Sequence, residues 1–176
     1  MENFKLRPWR TEDLDSLVKH ANNKKIADNM TNGFPHPYLQ THGEAFIIFA
    51  NSDDPIHIFA IVVNDQAVGG IGIHPQQDIY SKNAELGYWL SETYWGQGII
   101  PKAIAQMLQF AFSTYDIHRV YARPFGSNMA SQRVLEKTGF KLGARLKETI
   151  YKNEQYQDEL IYSLTRNEFA TFQIPP

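Results

Sequence analysis

The chain has 176 residues, 43% of them hydrophobic, with 17 Lys and Arg against 19 Asp and Glu, a formal net charge of -2 and no cysteine. That length and apolar content suit a single domain over 1–176, the charge balance gives no general attraction to nucleic acid, and the lack of cysteine excludes disulfides, thiolate metal sites and a cysteine nucleophile. Residues 1–10 hold no apolar leader core and no run reaches the roughly 18 to 20 apolar residues of a membrane span, so the expectation is a cytoplasmic protein that binds neither membrane nor nucleic acid.

Residues 4–9 read as an opening strand, with Pro8 suited to an edge or strand end. Thr11 is placed to cap a helix that carries Leu14, Leu17, Val18 and Ala21 on one face. A short helix over 24–30 follows, then an irregular stretch over 31–38 that its prolines and Gly33 enforce, then a helix over 41–50. Strands over 56–63 and 67–74 form a hairpin around 64–66, where Gly69, Gly70 and Gly72 mark a bulge or a close backbone approach. After a loop comes a strand over 83–90, a glycine turn, a helix over about 102–115 and a strand over 118–123. Ser127 or Asn128 caps the next helix, which runs to about Lys137 before Gly139 stops it. A final hairpin joins 140–150 to 155–164 around Lys152, Asn153 and Glu154. This order predicts an α/β (α+β) domain with antiparallel runs on either side of one parallel crossover, which is not a doubly wound nucleotide fold.

The segment Tyr94-Trp95-Gly96-Gln97-Gly98-Ile99-Ile100-Pro101-Lys102 lies between a strand end and a helix start. Glycines there let a ligand approach the main chain, and the first N–H groups of the helix have no partner inside it and sit at the positive end of the dipole. An anion such as a phosphate can take those donors.

Three linked motifs then carry a resemblance: Gly87-Tyr88-Trp89-Leu90, the turn at 94–98, and Asn128-Met129-Ala130-Ser131-Gln132-Arg133-Val134-Leu135-Glu136-Lys137-Thr138-Gly139-Phe140. In order and spacing they resemble the GNAT acyltransferases, and within them the branch of ribosomal-protein alanine N-acetyltransferases. The likeness covers nearly the whole chain, reaching the start at Leu6, Arg7 and Trp9, the Pro35-His36-Pro37-Tyr38 stretch and the last hairpin.

The resemblance implies a splayed, mostly antiparallel sheet with flanking helices that holds acetyl-CoA in a V-shaped gap between the parallel strands at 85–90 and 118–123. Tyr88, Trp89 and Leu90 would pair with the pantetheine as though it were another strand. Trp95, Gly96, Gln97, Gly98, Ile99, Ile100, Pro101 and Lys102 would hold the pyrophosphate. Two positions depart from the family's phosphate pattern, Trp95 at the polar first place and Ile100 at the small last one, and Pro101 has no N–H to donate. Asn128 would hydrogen-bond the pantetheine near the thioester and Ser131 would face the sulfur, whereas residue type alone makes the first a helix cap and the second an exposed helix residue. Lys137 would reach a phosphate or simply complement the helix end.

An acetyl transfer to a primary amine, by direct attack in a ternary complex, needs a neutral amine, a polarised carbonyl and a stabilised thiolate. The resemblance assigns the carbonyl to a main-chain N–H near Leu90, the thiolate to Ser131 with Tyr162 and Tyr121 as alternatives, and the base to Glu85, which is equally a paired strand carboxylate. Where relatives acting on ribosomal proteins carry a glutamate on the penultimate strand this chain has Ile150, with Glu148 two residues earlier and on the same face of a regular strand. Phe34, His36 and Tyr38 resemble the acceptor-side wall or pack over the core. No metal is expected, since the histidines lack helical ligand spacing. The acceptor class stays open between a protein N-terminus and a small molecule such as a polyamine or aminoglycoside, a noncatalytic acyl-CoA sensor stays a rival, and the assembly is a monomer or homodimer.

Overall fold

The computed structural model describes residues 4–172. Strands β1 (Phe4–Pro8), β2 (Ile58–Val63), β3 (Gln66–Pro75), β4 (Asn83–Leu90), β5 (Arg119–Ala122), β6 (Lys141–Lys152) and β7 (Gln155–Thr165) form one seven-stranded sheet in the order β1-β2-β3-β4-β5-β7-β6. Between them come helices α1 (Leu14–Ala21), α2 (Lys24–Ala27), α3 (Gln40–Ala50), α4 (Ile99–Thr114) and α5 (Met129–Lys137), and α6 (Arg166–Thr171) follows β7. The β1–β2, β2–β3, β5–β7 and β6–β7 pairs are antiparallel, and β4–β5 is parallel. The expected mixed, mostly antiparallel sheet is therefore present, with α4 as the crossover that a parallel pair requires.

The chain divides into two compact units, Met1–Gly72 with Tyr88–Ala103 and Ile73–Gly87 with Ile104–Pro176. It passes from one to the other inside β3, inside β4 and inside α4.

In the first unit, the uninterrupted apolar run of β2 is buried along nearly its whole length, as a strand covered on both faces should be. Its core also takes Leu17 and Ala21 from α1, Ile47 and Ala50 from α3, and Trp9, Tyr38 and Trp89. A Cβ on Gly43 would stand 2.7 Å from Leu14 Cδ1 and 3.3 Å from Val18 Cγ2, so α3 lies close against α1 at this point. The anticipated irregularity in β3 is both a bulge and a close approach. Ile61 pairs with Gly69 and Val62 with Ala67, leaving Val68 as the extra residue, while a Cβ on Gly69 would meet the Trp89 carbonyl oxygen at 2.5 Å and one on Gly70 the Trp89 Nε1 at 2.8 Å.

The second unit holds the parallel pair and the last hairpin. Ala84 and Leu86 of β4, and Val120 and Ala122 of β5, are buried, while Asn83, Glu85, Arg119 and Tyr121 alternate with them on a half-exposed polar face. Arg166 closes α4 by donating to the carbonyls of Phe112 at 2.7 Å and Tyr115 at 3.1 Å, groups a helix C-terminus leaves without internal partners, and to that of Ile117 at 2.8 Å in the segment that follows. Helix α5 ends as anticipated: Gly139 has φ +90, the Phe140 N–H reaches the Leu135 carbonyl and the Gly139 N–H reaches that of Glu136, a paired bond pattern typical of a left-handed glycine stop.

The main differences from the sequence reading lie in the helices and in the last hairpin. Thr11 lies within a 3-10 turn, Thr11–Asp13, with Arg10 before it, so it is not the cap of α1. Helix α2 ends at Ala27, short of residue 30. Helix α4 starts at Ile99, three residues before the expected start, because Pro101 falls in the first turn, where its missing N–H would have had no helical acceptor. Helix α6 was not anticipated, although Thr165 and Glu168 cap one another reciprocally at its start. In β6 the register slips between Leu146 and Ile150 and Glu148 has φ +55, so strand alternation no longer puts residues 148 and 150 on one face.

Candidate functional site

In the first unit, β4 delivers Tyr88, Trp89 and Leu90 and then breaks into a 3-10 turn, Glu92–Tyr94. The parallel ladder couples Asn83, Ala84 and Glu85 of β4 to Arg119, Val120 and Tyr121 and covers no later residue of β4, which leaves the Tyr88–Leu90 main chain outside it. Trp95 folds back over this segment and donates its indole N–H to the Leu90 carbonyl at 2.8 Å. That bond explains why an aromatic can replace the polar residue expected at position 95: it fixes the exit angle of the chain from β4.

Gly96 and Gly98 both have φ +75, a conformation that favours glycine, and a Cβ on either would meet nothing within 4 Å. Gln97 is held by a bond to the Thr93 carbonyl at 3.1 Å. The exposed turn then enters α4 directly, whose Ile99 and Ile100 side chains are buried while Lys102 is exposed. Two apolar anchors thus pin the first turn of a 16-residue helix so that its N-terminal N–H groups stay with the open glycine loop. Ile100, the departure at the small last position, serves that anchoring.

Phe34 packs on Tyr38 and on Trp89, with ring centroids 5.1 Å and 5.6 Å apart. Tyr38 is a core residue, 4% exposed, and burial pushes its phenol up to about 12; its main chain is held by Asn22. Between them His36 is exposed. Phe34 and Tyr38 therefore meet the Trp89 strand in this unit, with Tyr38 as the support, while His36 lies at the surface.

In the second unit Glu85 sits opposite Tyr121 in the parallel register. Its Oε1 accepts from Arg123 Nε at 3.1 Å and its Oε2 from the Tyr121 hydroxyl at 3.4 Å, and Arg123 also reaches Glu159 at 3.6 Å. Burial, and after it the Glu85 charge, raises the Tyr121 phenol above its ordinary value. Sequence reading named Glu85 but not Arg123, because the pairing depends on strand register. The available signal was opposite charge on the two strands joined by the crossover.

Asn128 is the N-cap of α5: its Oδ1 accepts the Ser131 N–H at 3.1 Å, leaving the amide hydrogens of Nδ2 for another acceptor. The loop before it is fastened along β7 by Leu160 N–H to the Pro124 carbonyl, Gly126 N–H to that of Asp158 at 2.7 Å, and Ser127 Oγ to Gln157. Ser131 is half-buried one turn on and Lys137 is exposed at the end of the helix. Tyr162, the alternative proton donor, is buried and bonded to Glu136 at 2.9 Å, its phenol pushed up to about 12, first by burial and then by that carboxylate. Among the described residues no group of three or more His, Asp or Glu could hold a metal ion, and no helix is long and apolar enough to cross a membrane.

Residues 3–141 match the family described as the acetyltransferase (GNAT) domain. The chain belongs to the GNAT acetyltransferase family. Its expected class, acetyl-CoA-dependent N-acetyltransferase, is that of the family. The ribosomal-protein-serine acetyltransferase of Escherichia coli (strain K12) is 30% identical over 106 residues, 60% of this chain and 59% of that protein. The chain matches only 55% to 59% of the length of this and two further curated relatives. Among GNAT structures, RimL, a ribosomal alpha-N-protein acetyltransferase in complex with coenzyme A, superposes with a TM-score of 0.80 at 21% identity, covering 92% of this chain and 93% of that one. The spermidine N-acetyltransferase from Vibrio cholerae, in complex with CoA and spermine, gives 0.78 at 19% identity, covering 96% and 98%. Such structural likeness at low identity establishes the GNAT fold.

Proposed function

We propose that the protein transfers the acetyl group of acetyl-CoA to a primary amine by direct attack in a ternary complex. The observation that carries this is the succession in one unit of the Tyr88–Leu90 main chain, the open Gly96 and Gly98 turn and the anchored start of α4. The strand would take the pantetheine amides, and the turn with the N–H groups of Ile99 and Ile100 the pyrophosphate. By resemblance to the family, the Leu90 N–H of the first unit would polarise the carbonyl; by the same resemblance, the second unit would offer Asn128 Nδ2 as a donor to the pantetheine and the Ser131 hydroxyl as a hydrogen-bond donor to the departing thiolate. Glu85 keeps one acceptor site on each oxygen beyond its bonds to Arg123 and Tyr121, enough to hold a water that passes the amine proton on to the carboxylate.

A protein N-terminal α-amine is the favoured acceptor. With a pKa of about 7.7 to 8.0 it is roughly one tenth neutral at pH 7, whereas a lysine amine is neutral in only about one molecule in a few thousand; a site whose carboxylate is already engaged suits the former. Likeness to the E. coli ribosomal-protein-serine acetyltransferase supports the same choice. Release of CoA thiol, followed over a panel of peptides with free N-termini, polyamines and aminoglycosides, tests the reading. Turnover on peptides is expected; acetyl-CoA binding without turnover on any amine would make the protein a sensor. Ser131→Ala should lower kcat on the order of 10²-fold with KM for acetyl-CoA nearly unchanged, and unaltered kcat would remove Ser131 as the hydrogen-bond donor to the thiolate.

A further inference from the structure

Gly87 is a glycine that neither backbone strain nor packing requires. Its main chain lies outside the left-handed region, and among the described residues a Cβ built on it would meet, beyond its chain neighbours, only His74 Nε2 of the adjacent strand β3, at 3.9 Å, an ordinary van der Waals separation. Gly69 and Gly70 differ, since a side chain at either would collide with Trp89. Glycine inside a strand lowers its stability and marks a place where a ligand comes close to the main chain. Within the second unit Gly87 continues the polar face of β4, where Asn83, Glu85 and Gly87 alternate with the buried Ala84 and Leu86. The ladder to β5 runs only as far as Glu85, so Gly87 is the first position of that face beyond it, exposed, with the half-buried His74 on its β3 side. Residues two apart on a strand are separated by about 6.5 Å, a span that the Glu85 carboxylate and one held water cover.

We propose that the open space over Gly87, walled by His74, seats the amine-bearing carbon of the acceptor, and that its width is what admits a branched α-amine. In a protein N-terminus that carbon carries both a carbonyl and a side chain, whereas in a polyamine it is an unbranched CH2. The proposal deepens the α-amine reading given above and rests on it. Steady-state kinetics of Gly87→Ala, with peptides that begin with Ser or Ala set against peptides that begin with Gly, test it. The added methyl group should raise KM about tenfold or more for the Ser- and Ala-initiated peptides and by a smaller factor for the Gly-initiated ones, with acetyl-CoA affinity by calorimetry unchanged. Because the space is open, the variant should unfold at no lower urea concentration than the unaltered protein. His74→Ala widens the same space from the other side and should return most of the lost KM in the double variant, a non-additivity that a general disturbance of β4 would not show. A Gly87→Ala protein with the KM values of the unaltered one, or a loss equal for Gly- and Ser-initiated peptides, overturns the seat and leaves the α-amine reading standing. An unaltered protein that acetylates no peptide overturns the α-amine reading, and the seat with it.

Discussion

One atom of the Asn128 amide caps α5, and the other is the donor proposed for the coenzyme, so the two can be separated by substitution. Asn128→Asp retains a capping oxygen and an equally good cap residue while deleting the N–H donors. Thermal stability should hold, and calorimetry should show coenzyme A binding weakened by roughly tenfold, the value of one hydrogen bond of about 1 to 1.5 kcal/mol; unchanged affinity would leave Asn128 as a cap and nothing more. Residues of this kind were legible in the sequence because their roles are local: a cap followed by a periodic helix, or a glycine at positive φ. Glu85 was legible only in part. Its neighbour Arg123 lies 38 positions away, and the ladder that brings them together is fixed by a crossover whose register no local pattern encodes. Trp95 likewise looked like a departure from a motif until its bond to the Leu90 carbonyl gave it a purpose.

Helix α4 is the element on which the coenzyme proposal depends, and its two ends are secured differently. Buried isoleucines hold the start, and the Arg166 guanidinium collects three carbonyls at the finish while lying over the Phe112 ring at 5.1 Å. Arg166→Ala should cost about 2 to 3 kcal/mol in urea unfolding at unchanged m, as charge-assisted bonds to half-buried carbonyls are lost. Arg166 opens α6, whose reciprocal cap is pH-sensitive. Bonds from Lys141, and then from Thr165, hold Glu168 well below its ordinary 4.5, at about 2. A depressed folded-state value means that the unfolded chain binds the proton first. The stabilisation from Glu168 is thus complete above about pH 4.5 and is lost as pH falls through about 2. The stability difference between the unaltered protein and Glu168→Gln should follow that course in equilibrium unfolding; a difference that grew on acidification would contradict it. The helix escaped sequence reading because six residues carry too little periodicity, although Thr165-Arg166-Asn167-Glu168 spells its cap. The β6 bulge escaped for another reason: alternation was assumed through Leu146 to Ile150, where the chain takes two extra residues.

On the scale of the whole molecule, the two compact units are each assembled from two separated stretches of chain, and every passage between them lies inside β3, β4 or α4 instead of a linker. Main chain at those passages belongs to regular elements, so we expect no independently melting half and a single cooperative transition by both circular dichroism and tryptophan fluorescence. Coenzyme A at about 100 times its dissociation constant should raise the unfolding free energy by about 2.7 kcal/mol without splitting that transition; two separate midpoints would count against a single folding unit. The same interleaving limits how the chain can be divided. No one break yields a pair of pieces that correspond to the two units, so a split version of this protein could regain activity only by fragment complementation. The places to attempt it are exposed turns such as Asn64 and Asp65 or Asn153 and Glu154, both with left-handed main chain at a hairpin tip.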